Sequence, residues 1–370
     1  MRIVYVFRSL AVWGGIERIL VDKMNYLVSE YGYEVHMITT DQGNHPIPYK
    51  LDPRVHFQDV GIRFHQQYHY SGFKRLLVAW KLNRLFKKRL RNCFQSISPD
   101  VILCTTSNDL NTIVRIKGSV PLIVESHSIY KETFGRKGLL HKLEDKRLQK
   151  SLYSAHMIVT LTHADAEEWR KKYKNVCCIP NIVHLNDSKI SHDLSSKHVI
   201  FVGRLDYQKR AFDAIRIWEE VHKRFPDWTL DIYGEGEQQE LIETIIAEKN
   251  INVVLHQPVS NIFDCYNRSA FLIMTSLFEP FGLVIPEAMS CGLPVVAFGC
   301  PYGPADIVTD GVDGYIIQNR SLEEFVDRIC YLIKNEQIRK QMGRKAMKAA
   351  HNYSPSAIMP MWEKLFKSVI

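Results

Sequence analysis

The sequence predicts an α/β protein of two doubly wound domains in tandem, and three observations predict it. Short apolar runs alternate with longer amphipathic stretches, which argues for parallel sheets covered by helices. The alternation stops in a polar segment, residues 184–197, and then restarts. At 370 residues the chain is long enough for two hydrophobic cores.

In the first half, Val4–Phe7 reads as a strand, followed by the glycines Gly14 and Gly15 and a helix from Ile16 to Glu30. Next come a strand at Val35–Thr40, a basic helix within Gly72–Asn92, a strand at Asp100–Thr106, a helix near Asn111 and a strand at Pro121–Ser126. A polar helix over Leu139–Ser151, a strand at Met157–Thr162 and another at Val176–Asn181 complete this half. The second half begins with a strand at His198–Gly203, a helix at Ala211–Arg224, a strand at Thr229–Gly234 and a helix at Gln239–Lys249. Strands follow at Val253–Gln257, Ala270–Thr275, Leu293–Phe298 and Gly314–Gln318, and two helices are expected to close the chain. Pro286 suits the first position of a short helix, which puts Glu287 in its first turn and Gly292 just past its end.

Composition narrows the class. Hydrophobic residues at 46% and charged residues at 24% describe an ordinary globular chain. No apolar run approaches the ~18 residues of a membrane-spanning helix, and the N-terminal run Arg2–Phe7 is too short for a signal-peptide core. The eight cysteines form no CxxC pair and read as reduced, buried thiols, which implies a cytoplasmic location. Charge is unevenly shared: residues 1–190 carry 29 Lys and Arg against 17 Asp and Glu, and residues 191–370 carry 19 against 23. The excess is densest in Gly72–Asn92, with eight cations and no acid. Lys81, Arg84, Lys88 and Arg91 fall on one face of that helix, opposite Leu82, Phe86, Leu90 and Cys93. This face is either merely solvated or drawn to an anionic membrane surface. Nucleic acid is not expected as a partner, because no recognised nucleic-acid motif accompanies the charge.

Chemistry is expected where strands end, since that edge of an open parallel sheet receives ligands. Gly203, Arg204 and Lys209 stand between a strand and a helix, where two cations and free amides suit a diphosphate, although solvated basic residues in a loop read the same way. Gly14 and Gly15 occupy the matching place in the first half, where glycine serves a turn or a close ligand approach. Glu287 can hold a vicinal diol through its two oxygens, or simply complement the helix dipole. Glu279 stands before Phe281, Gly282 and Leu283, whose amides could also face a ligand. His127 follows the strand ending at Glu125-Ser126. GxGxxG, GxSxG and HExxH are all absent, and no two aspartates are separated by one residue, so no metal is expected and cations replace it.

The segment Glu279-PFGLVIP-Glu287 resembles the paired-glutamate motif of glycosyltransferase family 4, the retaining GT-B glycosyltransferases. Gly203-RLDYQ-Lys209 is similar to that family's phosphate motif, Gly14-Gly15-Ile16-Glu17-Arg18 to its N-terminal glycine loop, and Ile179-Pro180-Asn181 to its domain border. Ile182 follows Asn181 where the family often has glycine. Cys300–Gly314 resembles members that build bacterial surface polysaccharides on lipid carriers.

The resemblance implies two Rossmann-like domains facing a cleft: 1–190 on the acceptor side, 191–352 binding the sugar nucleotide, and a C-terminal helix, 353–370, returning to the first. It implies a donor of UDP or GDP type, no other cofactor, and transfer of a hexosyl or N-acetylhexosaminyl group with retention to a glycan or lipid-linked glycan. Arg204 and Lys209 would then bind the diphosphate, Glu287 the ribose, and Glu279 the donor sugar with the backbone of Phe281–Leu283. Gly14 and Gly15 would lie near the diphosphate or the acceptor, and His127 near the anomeric carbon. A sugar-nucleotide epimerase of the same architecture and a non-catalytic nucleotide or nucleic-acid binder are the alternatives. A peripheral place on the inner face of the membrane is a further expectation.

Overall fold

The computed structural model describes residues 1–107, 109–134, 138–186 and 195–370. It divides into two compact units, Met1–Ile182 with Ile358–Ile370, and Val183–Ala357. The unit boundary thus falls just before the polar segment 184–197, of which residues 187–194 lie outside the described residues.

The first unit contains β1 (Arg2–Phe7), α1 (Gly15–Ser29), β2 (Glu34–Thr39), β3 (His56–Asp59), α2 (Gly72–Ile97), β4 (Val101–Thr105) and α3 (Leu110–Ile116). It continues through β5 (Leu122–Glu125), α4 (Tyr130–Phe134), α5 (Leu139–Leu152), β6 (Met157–Thr160), α6 (His163–Arg170) and β7 (Val176–Cys178). Its seven strands are parallel in the order β3-β2-β1-β4-β5-β6-β7. Ile3, Val4, Tyr5 and Val6 are all buried, as a central parallel strand covered on both faces requires. Strand β3, His-Phe-Gln-Asp, has no apolar run and was not expected; it adds to β2 at the sheet edge, with His36 opposite His56. Helix α6 starts at Thr162, whose side chain accepts the Asp165 amide as an N-cap.

The second unit contains β8 (His198–Val202), α7 (Ala211–His222), β9 (Thr229–Tyr233), α8 (Gln239–Lys249), β10 (Val253–His256), α9 (Phe263–Tyr266) and β11 (Phe271–Met274). Then come α10 (Val284–Ser290), β12 (Val295–Phe298), α11 (Gly303–Ile307), β13 (Gly314–Ile317), α12 (Leu322–Lys334) and α13 (Glu336–Ala350). The parallel order is β10-β9-β8-β11-β12-β13. Its core joins Phe201, Ile232, Phe271 and Phe298 from the strands to Trp218 of α7 and Phe325 of α12.

Three helices rather than two close the chain, because α12 and α13 are separated by Asn335 alone and α14 (Pro355–Val369) follows. From Ile358 onward α14 belongs to the first unit, where Ile358, Met359, Trp362, Leu365 and Phe366 are buried. Each such side chain is worth on the order of 1.5–3 kcal/mol of burial.

Each sheet reverses its winding once, between β1 and β4 in the first unit and between β8 and β11 in the second. Ligands bind open sheets beyond the carboxyl ends of strands at such points.

Candidate active site

In the second unit the loops after β8 and β11 flank the reversal and are tied to each other. The Thr275 hydroxyl lies within donating distance of two carbonyls, Arg210 O at 2.9 Å and Lys209 O at 3.1 Å, which share its one proton. The Leu277 amide donates to Gln208 O, and Gln208 Nε2 to Phe278 O. Arg320 adds a clamp, donating to the carbonyls of Ser276 and Thr275 while pairing with Asp213 at 2.7 Å. The first loop also rests on the glycine turn after β9. A Cβ on Gly234 would lie 1.9 Å from Gly203 O, and one on Gly236 2.5 Å from Leu205 O, so close backbone approach requires both glycines.

This frame brings Lys209 and Glu279 together at 2.7 Å. The Ser276 hydroxyl donates to the same carboxylate oxygen, Oε2, at 3.1 Å. Glu279 is anchored through its backbone as well: its amide donates to Pro301 O, and its carbonyl accepts from Tyr302 and Gly303. Gly303 is needed there, since a Cβ would lie 2.1 Å from Phe281 O. Gly282 has φ +94°, a left-handed conformation suited to glycine, and turns the chain into α10. The amides of Phe281, Gly282 and Leu283 make no hydrogen bond to an acceptor among the described residues. Phe281 itself is buried, with its ring edge-on to Tyr353.

Arg204 stands apart from that pair. Its side chain is 69% exposed and contacts Asp206 at 3.1 Å and Gln208 at 3.1 Å. Asp206 also accepts the Lys209 amide, so one carboxylate steers both basic residues of the loop. Glu287 is buried in the first turn of α10 and accepts from the Tyr266 hydroxyl at 3.4 Å. Pro286 is the third residue of α10 and not the first, because the helix already begins at Val284. Gly292, with φ +72°, follows the helix end as expected. Burial pushes the thiols of Cys291 and Cys300 up to about 12, so both stay protonated at neutral pH.

In the first unit Gly14 is the N-cap of α1 and Gly15 its first residue. A Cβ on Gly14 would lie 2.1 Å from Glu17 Oε2, because the Glu17 side chain folds back over the helix start. Burial raises the Glu17 carboxyl, and the charge of His127 opposes that rise. The His127 side chain is 5% exposed, and its Nε2 lies 3.3 Å from Glu125 Oε2, at angles that miss hydrogen-bond geometry. Glu125 is also paired with Lys23 of α1, and both are buried. The Lys23 ammonium sits 4.1 Å from the ring centre of Trp362 in α14. Burial would raise the Glu125 carboxyl, but Lys23 and His127 more than offset it and bring it down to about 2. Burial lowers the Lys23 ammonium, with Glu125 opposing.

Sequence reasoning missed Ser276, Asp213 and Arg320 in the second unit and the Lys23–Glu125 pair in the first. Ser276 was findable, as a hydroxyl at a strand end beside Glu279. Asp213 and Arg320 meet across 107 residues, and Lys23 and Glu125 across 102, with no local signal. Among the described residues Glu34, His36 and His56 lie close enough together to hold a metal ion. They sit on β2 and β3 toward the start of those strands, away from the edge that carries Gly14.

Two family descriptions match successive parts of the chain: Glycosyltransferase Family 4 over residues 13–187 and Glycosyl transferases group 1 over residues 185–349. The chain belongs to glycosyltransferase family 4 and is a glycosyltransferase of the GT-B type. An uncharacterized glycosyltransferase of Haemophilus influenzae is 25% identical over 98% of this chain and 99% of that one. The amylovoran biosynthesis glycosyltransferase AmsD of Erwinia amylovora is 34% identical over 57% of this chain and 62% of its own length. The fold is similar to that of S. aureus TarM in complex with fondaparinux, α-GlcNAc-glycerol and UDP. The TM-score is 0.80, with 18% identity and 99% of both chains covered.

Proposed function

We propose that this glycosyltransferase moves a hexosyl or N-acetylhexosaminyl group from a UDP- or GDP-sugar to an acceptor hydroxyl, with retention of anomeric configuration, in the assembly of a bacterial surface polysaccharide or lipid-linked glycan. The observation that carries this reading is the Lys209–Glu279 pair, built from the two loops that flank the reversal of the second sheet. One loop supplies cations for a diphosphate and the other supplies carboxylates for hydroxyls. The amylovoran role in the name of AmsD and the UDP held by TarM agree with it.

The donor site would lie in the second unit. Arg204 and Lys209 take the diphosphate, with Gly203 keeping the backbone close. Glu287 holds the ribose hydroxyls. Glu279, whose Oε2 is engaged by Lys209 and Ser276, offers Oε1 to a sugar hydroxyl, and the amides of Phe281, Gly282 and Leu283 face the donor. Gly14 and Gly15 serve the diphosphate or the acceptor, and His127, held beside Glu125, serves the sugar near its anomeric carbon. In the reaction the bond from the anomeric carbon to the phosphate oxygen breaks and its electron pair leaves with the diphosphate. Arg204 and Lys209 stabilise that charge, which such fixed groups do most effectively where water is excluded. The acceptor oxygen bonds to the anomeric carbon from the face the phosphate leaves, and its proton passes to the departing phosphate oxygen. The two cations meet the charge requirement, so activity should survive chelation of divalent metal.

The first unit would receive the acceptor and, for a lipid-linked one, meet an anionic membrane surface at the inner face through residues 72–92. Lys81, Arg84, Lys88 and Arg91 are all exposed there. The test is incubation with a panel of sugar nucleotides, with and without lipid acceptors. Acceptor-dependent release of nucleoside diphosphate supports transfer. A new sugar nucleotide would instead mark an epimerase, and no reaction a binding protein.

A further inference from the structure

The first half of α2 is solvent-exposed on more than its charged face. Phe73 is 75% exposed, Leu76 67%, Leu77 43% and Trp80 57%. Their spacing of three and four residues puts them in one apolar stripe. The core side of the helix is made elsewhere, by Phe86, Leu90, Cys93 and Phe94. Continued along the helix, the stripe runs into Arg84, Lys88 and Arg91, so one face changes from apolar to cationic over a helix of 26 residues.

The surroundings indicate what this face meets. Lys74 lies over the Tyr70 ring at 4.6 Å, Arg75 over Tyr68 at 4.7 Å and Arg84 over Trp80 at 5.5 Å. Tyr68 and Tyr70 are themselves exposed. Aromatic rings with a wet edge, aliphatic side chains and a fringe of Lys and Arg without acids are the composition of a segment that lies in the headgroup boundary of a bilayer. A protein partner of ordinary polarity would not need eight cations and no carboxylate in Gly72–Asn92. Among the described residues no helix is long and apolar enough to cross a membrane, so the contact is made from one side.

We propose that the stripe Phe73, Leu76, Leu77 and Trp80 inserts into the acyl boundary of an anionic bilayer, with Lys74, Arg75, Arg84, Lys88 and Arg91 at headgroup level. This rests on the membrane contact proposed above and goes beyond it. A purely electrostatic contact is screened away by salt, whereas buried apolar area is not. The stripe therefore sets the depth and persistence of attachment, and the cations set the lipid preference.

The experiment is flotation with vesicles of phosphatidylglycerol and phosphatidylcholine, alongside tryptophan emission with brominated acyl chains. Trp80→Phe assigns the signal to Trp80. Wild type is expected to bind, to shift its emission to the blue, to be quenched by the brominated chains, and to keep a bound fraction at high salt. The variant F73S/L76S/L77S/W80S should lose that fraction and partition roughly a hundredfold more weakly or worse, with unchanged circular dichroism, since it alters only exposed side chains. Binding that is unquenched and wholly lost at high salt would overturn insertion while leaving the electrostatic contact standing. No binding to any vesicle would overturn both. Self-association without lipid, abolished by the serine variant, would assign the stripe to a second copy of the chain and overturn the proposal.

Discussion

The ammonium of Lys209 lies 2.7 Å from Oε2 of Glu279, although 70 residues separate them in the chain. Both side chains are largely buried, so removing one partner strands the other's charge. Lys209→Ala should therefore lower turnover roughly a hundredfold and stability by about 3 kcal/mol. Combining it with Glu279→Gln should recover much of the stability and none of the turnover. Chemical denaturation and donor turnover on the three variants check this, and recovery of activity in the double variant would remove Lys209 from the diphosphate.

Arg204 gives a cleaner test of charge stabilisation. It is mostly exposed and its pair with Asp206 is a surface contact, worth at most about 1 kcal/mol. Arg204→Ala should melt like wild type and still turn over roughly a hundredfold more slowly. Rates within about threefold of wild type would exclude it from the leaving-group site.

Glu287→Gln exchanges a carboxylate with two acceptor oxygens for an amide with one. Calorimetry should show weaker binding of the free nucleoside diphosphate, with the variant still folded. Unchanged affinity would count against the ribose role and leave Glu287 as a buried residue of the first turn of α10 that accepts from Tyr266.

The Lys23–Glu125 pair makes a pH prediction. The folded-state carboxyl of Glu125 is held down at about 2, below its ordinary value of 4.5. The unfolded chain binds more protons in that interval, so this group's contribution is fully present above about 4.5 and is lost as pH falls toward about 2. Urea denaturation between pH 3 and 5 should show stability rising with pH in wild type. The rise should be shallower in Glu125→Gln. Equal slopes would mean that the buried pair does not carry the linkage.

Much of the second unit's candidate site was legible because each of its two candidate loops is local in sequence. Gly203 to Lys209 and Glu279 to Glu287 each run from a strand end into a helix, and that pattern is readable from residue types. What was not legible is what joins them. Arg320 reaches Asp213, Thr275 and Ser276 from the far side of β13, and only the fold brings them together. In the first unit Lys23 reads as an ordinary helix-surface residue until Glu125 and Trp362 enclose it. Strand β3 lacks the apolar run that marks a strand, since it lies at the sheet edge with His56, Phe57 and Gln58 exposed. In α2 the charge pattern located the solvent face; of the four residues placed opposite it, Phe86, Leu90 and Cys93 are buried and Leu82 is partly buried against the same core. The exposure of Phe73 to Trp80 could not be read, because an apolar stripe at helical spacing ordinarily marks a core.

The measurement that bears most directly on the donor site is amide hydrogen exchange, read peptide by peptide, with and without saturating nucleoside diphosphate. UDP and GDP are each tested, and the one that raises the melting temperature is used. The expected result is protection concentrated in residues 203–209 and 276–287, including the amides of Phe281, Gly282 and Leu283 that have no protein acceptor among the described residues. Bound nucleotide that leaves both segments unprotected, or protects only peptides of Met1–Ile182, would contradict the assignment of the donor to the second unit.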